Sequence, residues 1–310
     1  KGRKRRTWPI QIMRNSVVSV LLPSLSFAGA LLTPRLAAPA GGREALAIKK
    51  KMLVLGGTGF VGSRVCEEAI KKGYAVTALS RRGQNPKPDD AQLSQVNWLT
   101  CDATEEAQLG KIMSEVDPDV VVHAVGLLFD IDSGLANLNL VVSGSKSVPG
   151  EKSTYDAITR QTAENALKNT ISPRNPLKSL KKRTFVFVSA AEAGWPEVPL
   201  GDRVESLAPE WLVRYLGAKR SVEASLLNAQ SNNFRPVIFR PSLIWTWSKL
   251  DVLPVIPVFN IASAIGLPFV DKTVRVEDLA AAIVEAAGTE SVSGIQRFKE
   301  VEELSSKSRV

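Results

Sequence analysis

The chain of 310 residues is 44% hydrophobic and 23% charged, the balance of an ordinary globular protein with room for a sizeable core. Its formal net charge of +9 sits in residues 1–50, which hold ten Lys or Arg against one acid, Glu44. The remainder carries thirty basic and thirty acidic side chains, a neutral balance that argues against nucleic acid as a partner.

Residues 1–48 read as a targeting segment or a disordered basic tail. A basic start (Lys1, Arg3, Lys4, Arg5, Arg6) precedes the apolar, Ser-bearing stretch Ser16 to Leu32 and then the small residues Leu36 to Ala40. Such a basic, acid-poor segment matches an organellar transit peptide, and its apolar middle, interrupted by Pro23 and Gly29, is barely long enough to cross a bilayer. The expected location is the mitochondrion, in the matrix or against the inner membrane, with the plastid as the alternative.

From residue 49 onward apolar runs bounded by turn residues alternate with helical patterns. Strands are expected at Met52 to Leu55, Ala75 to Leu79, Val96 to Leu99, Val120 to Val125, Thr184 to Ser189 and Val237 to Phe239. Helices are expected at Gly62 to Lys72, Glu105 to Glu115, Asp156 to Lys168 and Val213 to Gln230. This alternation predicts an α/β, doubly wound parallel Rossmann sheet spanning residues 49–298. Asp130 to Lys152, rich in Gly, Ser and Asn, reads as a long surface loop. The proline-bearing, apolar residues 241–275 read as a small C-terminal substrate lobe closed by a helix from Val276 to Ala287. Residues 299–310 read as a polar, frayed tail.

Two cysteines, Cys66 and Cys101, offer neither zinc spacing nor a disulfide framework, and suit a reducing compartment. The single histidine, His123, leaves no Ser-His-Asp hydrolase and no multi-histidine site, so no metal is expected.

Gly56-Gly57-Thr58-Gly59-Phe60-Val61-Gly62 stands between the first strand and the first helix, where glycines permit a tight turn and close approach of a pyrophosphate to the helix N-terminus. After the second strand, Ser80-Arg81-Arg82 occupies the place where a carboxylate would select NAD. An arginine there attracts a 2′-phosphate, so NADP(H) is favoured over NAD(H). Asp102 follows the third strand, at the level of an adenine amino group. Ala124, Val125 and Gly126 follow the fourth, small enough to pass beneath a cofactor. Tyr215 and Lys219, four apart on a helix, share a face, so the ammonium is expected to lower the phenol's pKa and fit it for acid/base work during hydride transfer. Ser189, at the mouth of the fifth strand, is the candidate to hold the substrate oxygen. Trp195, Trp211, Trp245 and Trp247, with neighbouring aliphatic residues, suit a small hydrophobic substrate.

These motifs resemble the short-chain dehydrogenase/reductase superfamily in its extended and atypical branches. The resembling residues are GGTGFVG at 56–62, Asp102, VVHAVG at 121–126, VFVSA at 186–190, YLGAK at 215–219, FRPSLIW at 239–245 and VRVEDLAAAIVEA at 274–286. Within it the chain looks most like organellar NAD(P)-binding proteins related to the fungal ubiquinone-biosynthesis subunit, and more distantly like the NAD(P)H-binding accessory subunit of respiratory complex I. That resemblance implies an oxidoreductase with Ser189, Tyr215 and Lys219 as catalytic residues, with Lys219 also orienting the cofactor ribose. It implies a hydrophobic carbonyl, alcohol or quinone-like substrate in prenylquinone metabolism, and a membrane-associated protein complex as partner. One departure stands out: Thr159-Arg160 appears where extended members commonly carry a relay asparagine. The departure supports a second expectation, a nucleotide-binding subunit of an organellar complex without turnover.

Overall fold

A computed structural model describes residues 49–139, 149–172, 181–247, 256–267 and 269–309, all within one unit, Ile48–Val310. The expected targeting segment lies outside the described residues, as does part of the long loop.

The chain runs β1 (Lys51–Leu55), α1 (Phe60–Lys71), β2 (Ala75–Ser80), β3 (Asn97–Thr100), α2 (Glu106–Val116), β4 (Val120–His123), a π-helical turn (Asp156–Gln161) continuing into α3 (Thr162–Ile171), and β5 (Arg183–Val188). It continues with α4 (Gly201–Ser206), α5 (Glu210–Asn228), β6 (Phe234–Phe239), β7 (Ile244–Trp245), α6 (Ile256–Ala264), β8 (Val274–Arg275), α7 (Val276–Gly288), β9 (Gly294–Gln296) and α8 (Phe298–Ser308). Seven strands form one parallel sheet in the order β3-β2-β1-β4-β5-β6-β9, and β7 pairs with β8 in a separate parallel pair. Strand order reverses between β1 and β4, where the crossover helices pass to opposite faces and their first turns diverge. A crevice at the strand C-termini follows from that reversal.

Both faces of the sheet are covered, which is why its strands are continuous apolar runs rather than alternating ones. Met52, Val54 and Val122 pack beneath α1 and α7 through Val65, Ala69, Leu279 and Ile283. Leu53, Leu55 and Val121 face α2, α3 and α5 through Leu109, Ala166, Val222 and Leu226. Cys66 and Cys101 are free and buried, and burial raises both thiols, Cys101 to about 11, so they serve packing rather than reactivity.

One expectation is corrected at the C-terminus. Residues 299–310 are not a frayed tail: α8 buries Val301 and Leu304 on α7. Its polar composition hid a two-residue apolar stripe, and a capping box at Arg297 and Glu300 starts it. The helix from Val276 starts beside the small lobe, where Thr246 Oγ1 donates to Glu277 at 3.1 Å, and also packs on α1 and supports the main sheet.

Candidate active site

The turn after β1 is built from backbone. Gly56 and Gly57 N–H both donate to the Leu79 carbonyl, at 2.9 and 3.1 Å, tying the turn to the end of β2. Gly56 has φ +80°, and a Cβ there would lie 2.8 Å from the Ala124 carbonyl oxygen. A Cβ on Gly62 would come within 2.2 Å of the Gly56 oxygen, so only glycine lets α1 start this close to the turn.

The space left open is a cleft of about 570 Å³ at the C-terminal ends of β1, β2, β3 and β4. Of the expected nucleotide-binding residues, Gly56, Thr58, Gly59, Ser80, Arg81, Arg82, Asp102, Ala124, Val125 and Gly126 line it. Phe60, Val61 and Gly62 stand behind them in the first turn of α1, and Lys219 is not part of the lining. Ser80 Oγ accepts the Gly83 N–H at 2.9 Å, folding the chain so that Arg81 and Arg82 flank the cleft mouth. Both arginines are exposed, and neither makes an ion pair among the described residues. Asp102 accepts from Thr104 N at 3.0 Å and Thr104 Oγ1 at 2.7 Å, a local turn that also presents it to the cleft wall. A glycine cradle that a Cβ at Gly56 or Gly62 would fill, with two arginines unpaired among the described residues beside it, fits the phosphates of a dinucleotide.

The second pole lies along α5, where Tyr215, Lys219 and Glu223 recur every fourth residue and so share one face. Lys219 is buried and donates from Nζ to the Val188 carbonyl at 2.7 Å, with its ammonium 5.0 Å from the Phe187 ring centre and 5.5 Å from that of Tyr215. Burial lowers its pKa to about 8, against a smaller upward pull from Glu223. The expected depression of the Tyr215 phenol is not found. Burial, then the Glu192 carboxylate, then Tyr155 raise it above the usual tyrosine range, and its ring stands edge-on to Tyr155 at 5.5 Å.

Ser189 ends β5 as expected, but its hydroxyl donates to Glu223. Glu223 is in turn held by Arg240, whose Nη2 donates at 2.6 Å and Nε at 3.1 Å, and whose other contacts reach Glu197 at 2.8 Å. Sequence reasoning missed Glu223, although its spacing of four from Lys219 was the available signal. It also missed Glu192, a half-buried carboxylate in the turn Ala191–Glu197, whose neighbours Ala190 and Ala193 pack with Leu216 against Tyr215 and Trp195. Burial raises the Glu192 pKa, with Asp271 adding to the shift.

Thr159 lies in the π-helical turn, fully buried, with its hydroxyl unpartnered; such turns recur at functional sites. His123 is a packed residue: Nε2 meets Thr162 Oγ1 at 2.8 Å, its ring lies 5.5 Å from Phe187, and burial together with Lys219 lowers its pKa to about 3.

Comparison with known proteins agrees with the fold. The chain is 28% identical to MIOREX complex component 2 of Saccharomyces cerevisiae over 219 residues, 63% of this chain and 73% of the relative. It is 27% identical to an uncharacterized chloroplastic protein of Arabidopsis thaliana over 282 residues, 84% of this chain and 79% of that protein. The fold is shared with UDP-glucose 4-epimerase of Thermus thermophilus in complex with NAD, at TM-score 0.51 and 20% identity, covering 84% and 83% of the two chains. The sequence model of the NAD dependent epimerase/dehydratase family matches residues 52–245, and the chain belongs to that family of NAD(P)-dependent, extended short-chain dehydrogenase/reductase proteins.

Proposed function

We propose that the protein is an NADP(H)-dependent reductase of a hydrophobic carbonyl or quinone-like substrate. The observation that carries the reading is the unpaired arginine couple, Arg81 and Arg82, at the mouth of a glycine-built cleft. Bound NADPH would supply the hydride. Tyr215, kept neutral by burial, is suited to give its proton to the substrate oxygen as that oxygen gains negative charge, and the phenolate would be reprotonated from solvent. With its pKa raised, the phenol is in the acid form at neutral pH, the form that a reduction requires. Lys219 stabilises the phenolate side of that transfer through its nearby charge. Ser189 holds the substrate oxygen only after turning away from Glu223.

The second reading is a nucleotide-binding subunit of an organellar complex without turnover. The engaged hydroxyl of Ser189 and the unpartnered Thr159 favour it, and one relative is named as a complex component. The name of the chloroplastic relative supports an organellar site for either reading, which we take as the mitochondrion first and the plastid as the alternative.

The test is to measure NADPH and NADH binding to the purified protein, then NADPH oxidation with short-chain quinones and aromatic ketones, alongside Tyr215→Phe. Turnover that depends on Tyr215 supports the reductase. Tight nucleotide binding with no such turnover supports the subunit reading, and failure to bind either nucleotide removes both.

A further inference from the structure

In the small lobe, α6 presents apolar side chains to water. In α6, Asn260 is turned back into the protein, where its Oδ1 accepts from Thr273 N at 3.1 Å and Thr273 Oγ1 at 3.0 Å. The outward side carries Pro257, Ile261, Ala264 and, one residue beyond the helix, Ile265, all exposed and spaced as one helical stripe. Ile261 is 63% exposed and Ile265 71% exposed, and Trp247 in the same lobe is 64% exposed. No charged residue occurs from 252 to 270, a run of nineteen. An apolar stripe of this kind ordinarily faces a core or an apolar medium.

From this we infer that α6 is a shallow lipid-docking element, seating Ile261 and Ile265 in the interfacial zone of a bilayer. A nine-residue helix is about 14 Å long, and its exposed face about 10 Å wide, so the stripe offers roughly 150 Å². A stable dimer or protein complex needs about 800 Å² on each side, with a polar rim. The stripe is too small and too charge-free for that. A bilayer requires no matching rim, and since its hold scales with the apolar area buried, a small stripe gives a weak contact, which an exposed tryptophan suits. Among the described residues no helix is long and apolar enough to cross a membrane, so this contact is superficial and reversible. It serves a chain that must meet a hydrophobic substrate where that substrate dissolves, yet it stands on α6 alone and not on the cofactor.

The full chain is sedimented with neutral phosphatidylcholine vesicles in high salt, which silences the basic residues 1–50. The wild type is expected to bind, and Ile261→Asp with Ile265→Asp to weaken partition about tenfold or more, with NADPH binding and thermal melting unchanged. Ile261→Leu should bind as the wild type does. Quenching of tryptophan fluorescence by brominated lipid should fall in Trp247→Phe. A wild type that ignores neutral vesicles, or an aspartate variant that binds them equally, overturns the inference. A concentration-dependent dimer abolished by the same aspartates overturns it in favour of a second copy as the occupant.

Discussion

Ser189 and Glu223 are joined by a hydrogen bond from the serine hydroxyl to a carboxylate that Arg240 also grips, so the residue after β5 is tied to α5, and the buried Arg240–Glu223 ion pair ties α5 in turn to the residue after β6. The pair is 4% exposed on both sides, and its third member Glu197 reaches it from the turn after β5.

Replacing Glu223 by alanine should therefore act on stability before it acts on any chemistry. It strands Arg240 in the interior with one half-exposed partner, at a cost of about 3–5 kcal/mol. Ser189→Ala removes a hydrogen bond but leaves the ion pair, and should cost about 1 kcal/mol. Urea denaturation of the two variants checks the contrast.

Arg81→Ala should weaken NADPH binding by about tenfold through loss of one charge-assisted contact to a 2′-phosphate, with NADH affinity little changed. Titration by nucleotide fluorescence reads both. Equal losses for the two nucleotides would place Arg81 on the shared pyrophosphate instead.

The pH dependence of stability should carry the signature of His123. Its native pKa is pushed down to about 3 from an ordinary 6.5, so between those values the unfolded chain binds a proton that the native one refuses. Stability from this residue is complete above pH 6.5 and falls as pH drops toward 3, by about 1.4 kcal/mol for each unit. Denaturation at stepped pH should show a shallower acid decline for His123→Asn than for the wild type.

Tyr215→Phe should lower the rate of NADPH-dependent reduction by about a hundredfold or more without weakening nucleotide binding, since the phenol lies outside the cleft lining. Because its pKa is raised, the wild-type rate should not fall through loss of the phenolic proton between pH 7 and 9, and a decline centred near pH 8 should instead follow loss of the Lys219 charge. Stopped-flow reduction of an accepted quinone or ketone, followed across that range, checks both statements.

Much of this site was legible along the chain because its parts are local. A strand, Gly56 to Gly62 and a helix are contiguous, and Tyr215 and Lys219 repeat at the pitch of one helix. Helix α8 was missed because only Val301 and Leu304 mark its buried side amid polar residues. The shift of Tyr215 was read with the wrong sign because spacing on a helix reports proximity of Lys219 but not the burial that outweighs it.

The sequence alone determined the order of β1 to β6 and of the helices α1, α2, α3 and α5 between them, the glycine turn and the arginines that follow β2, since each depends on backbone geometry and neighbours within a few residues. Only the tertiary structure decided which way Ser189 points, that Glu192 stands beside Tyr215, and that α6 shows its isoleucines to the outside. Those outcomes depend on contacts between β5, α5, the turn after β5 and β8, and on how far each group is withdrawn from water, which a linear pattern does not contain.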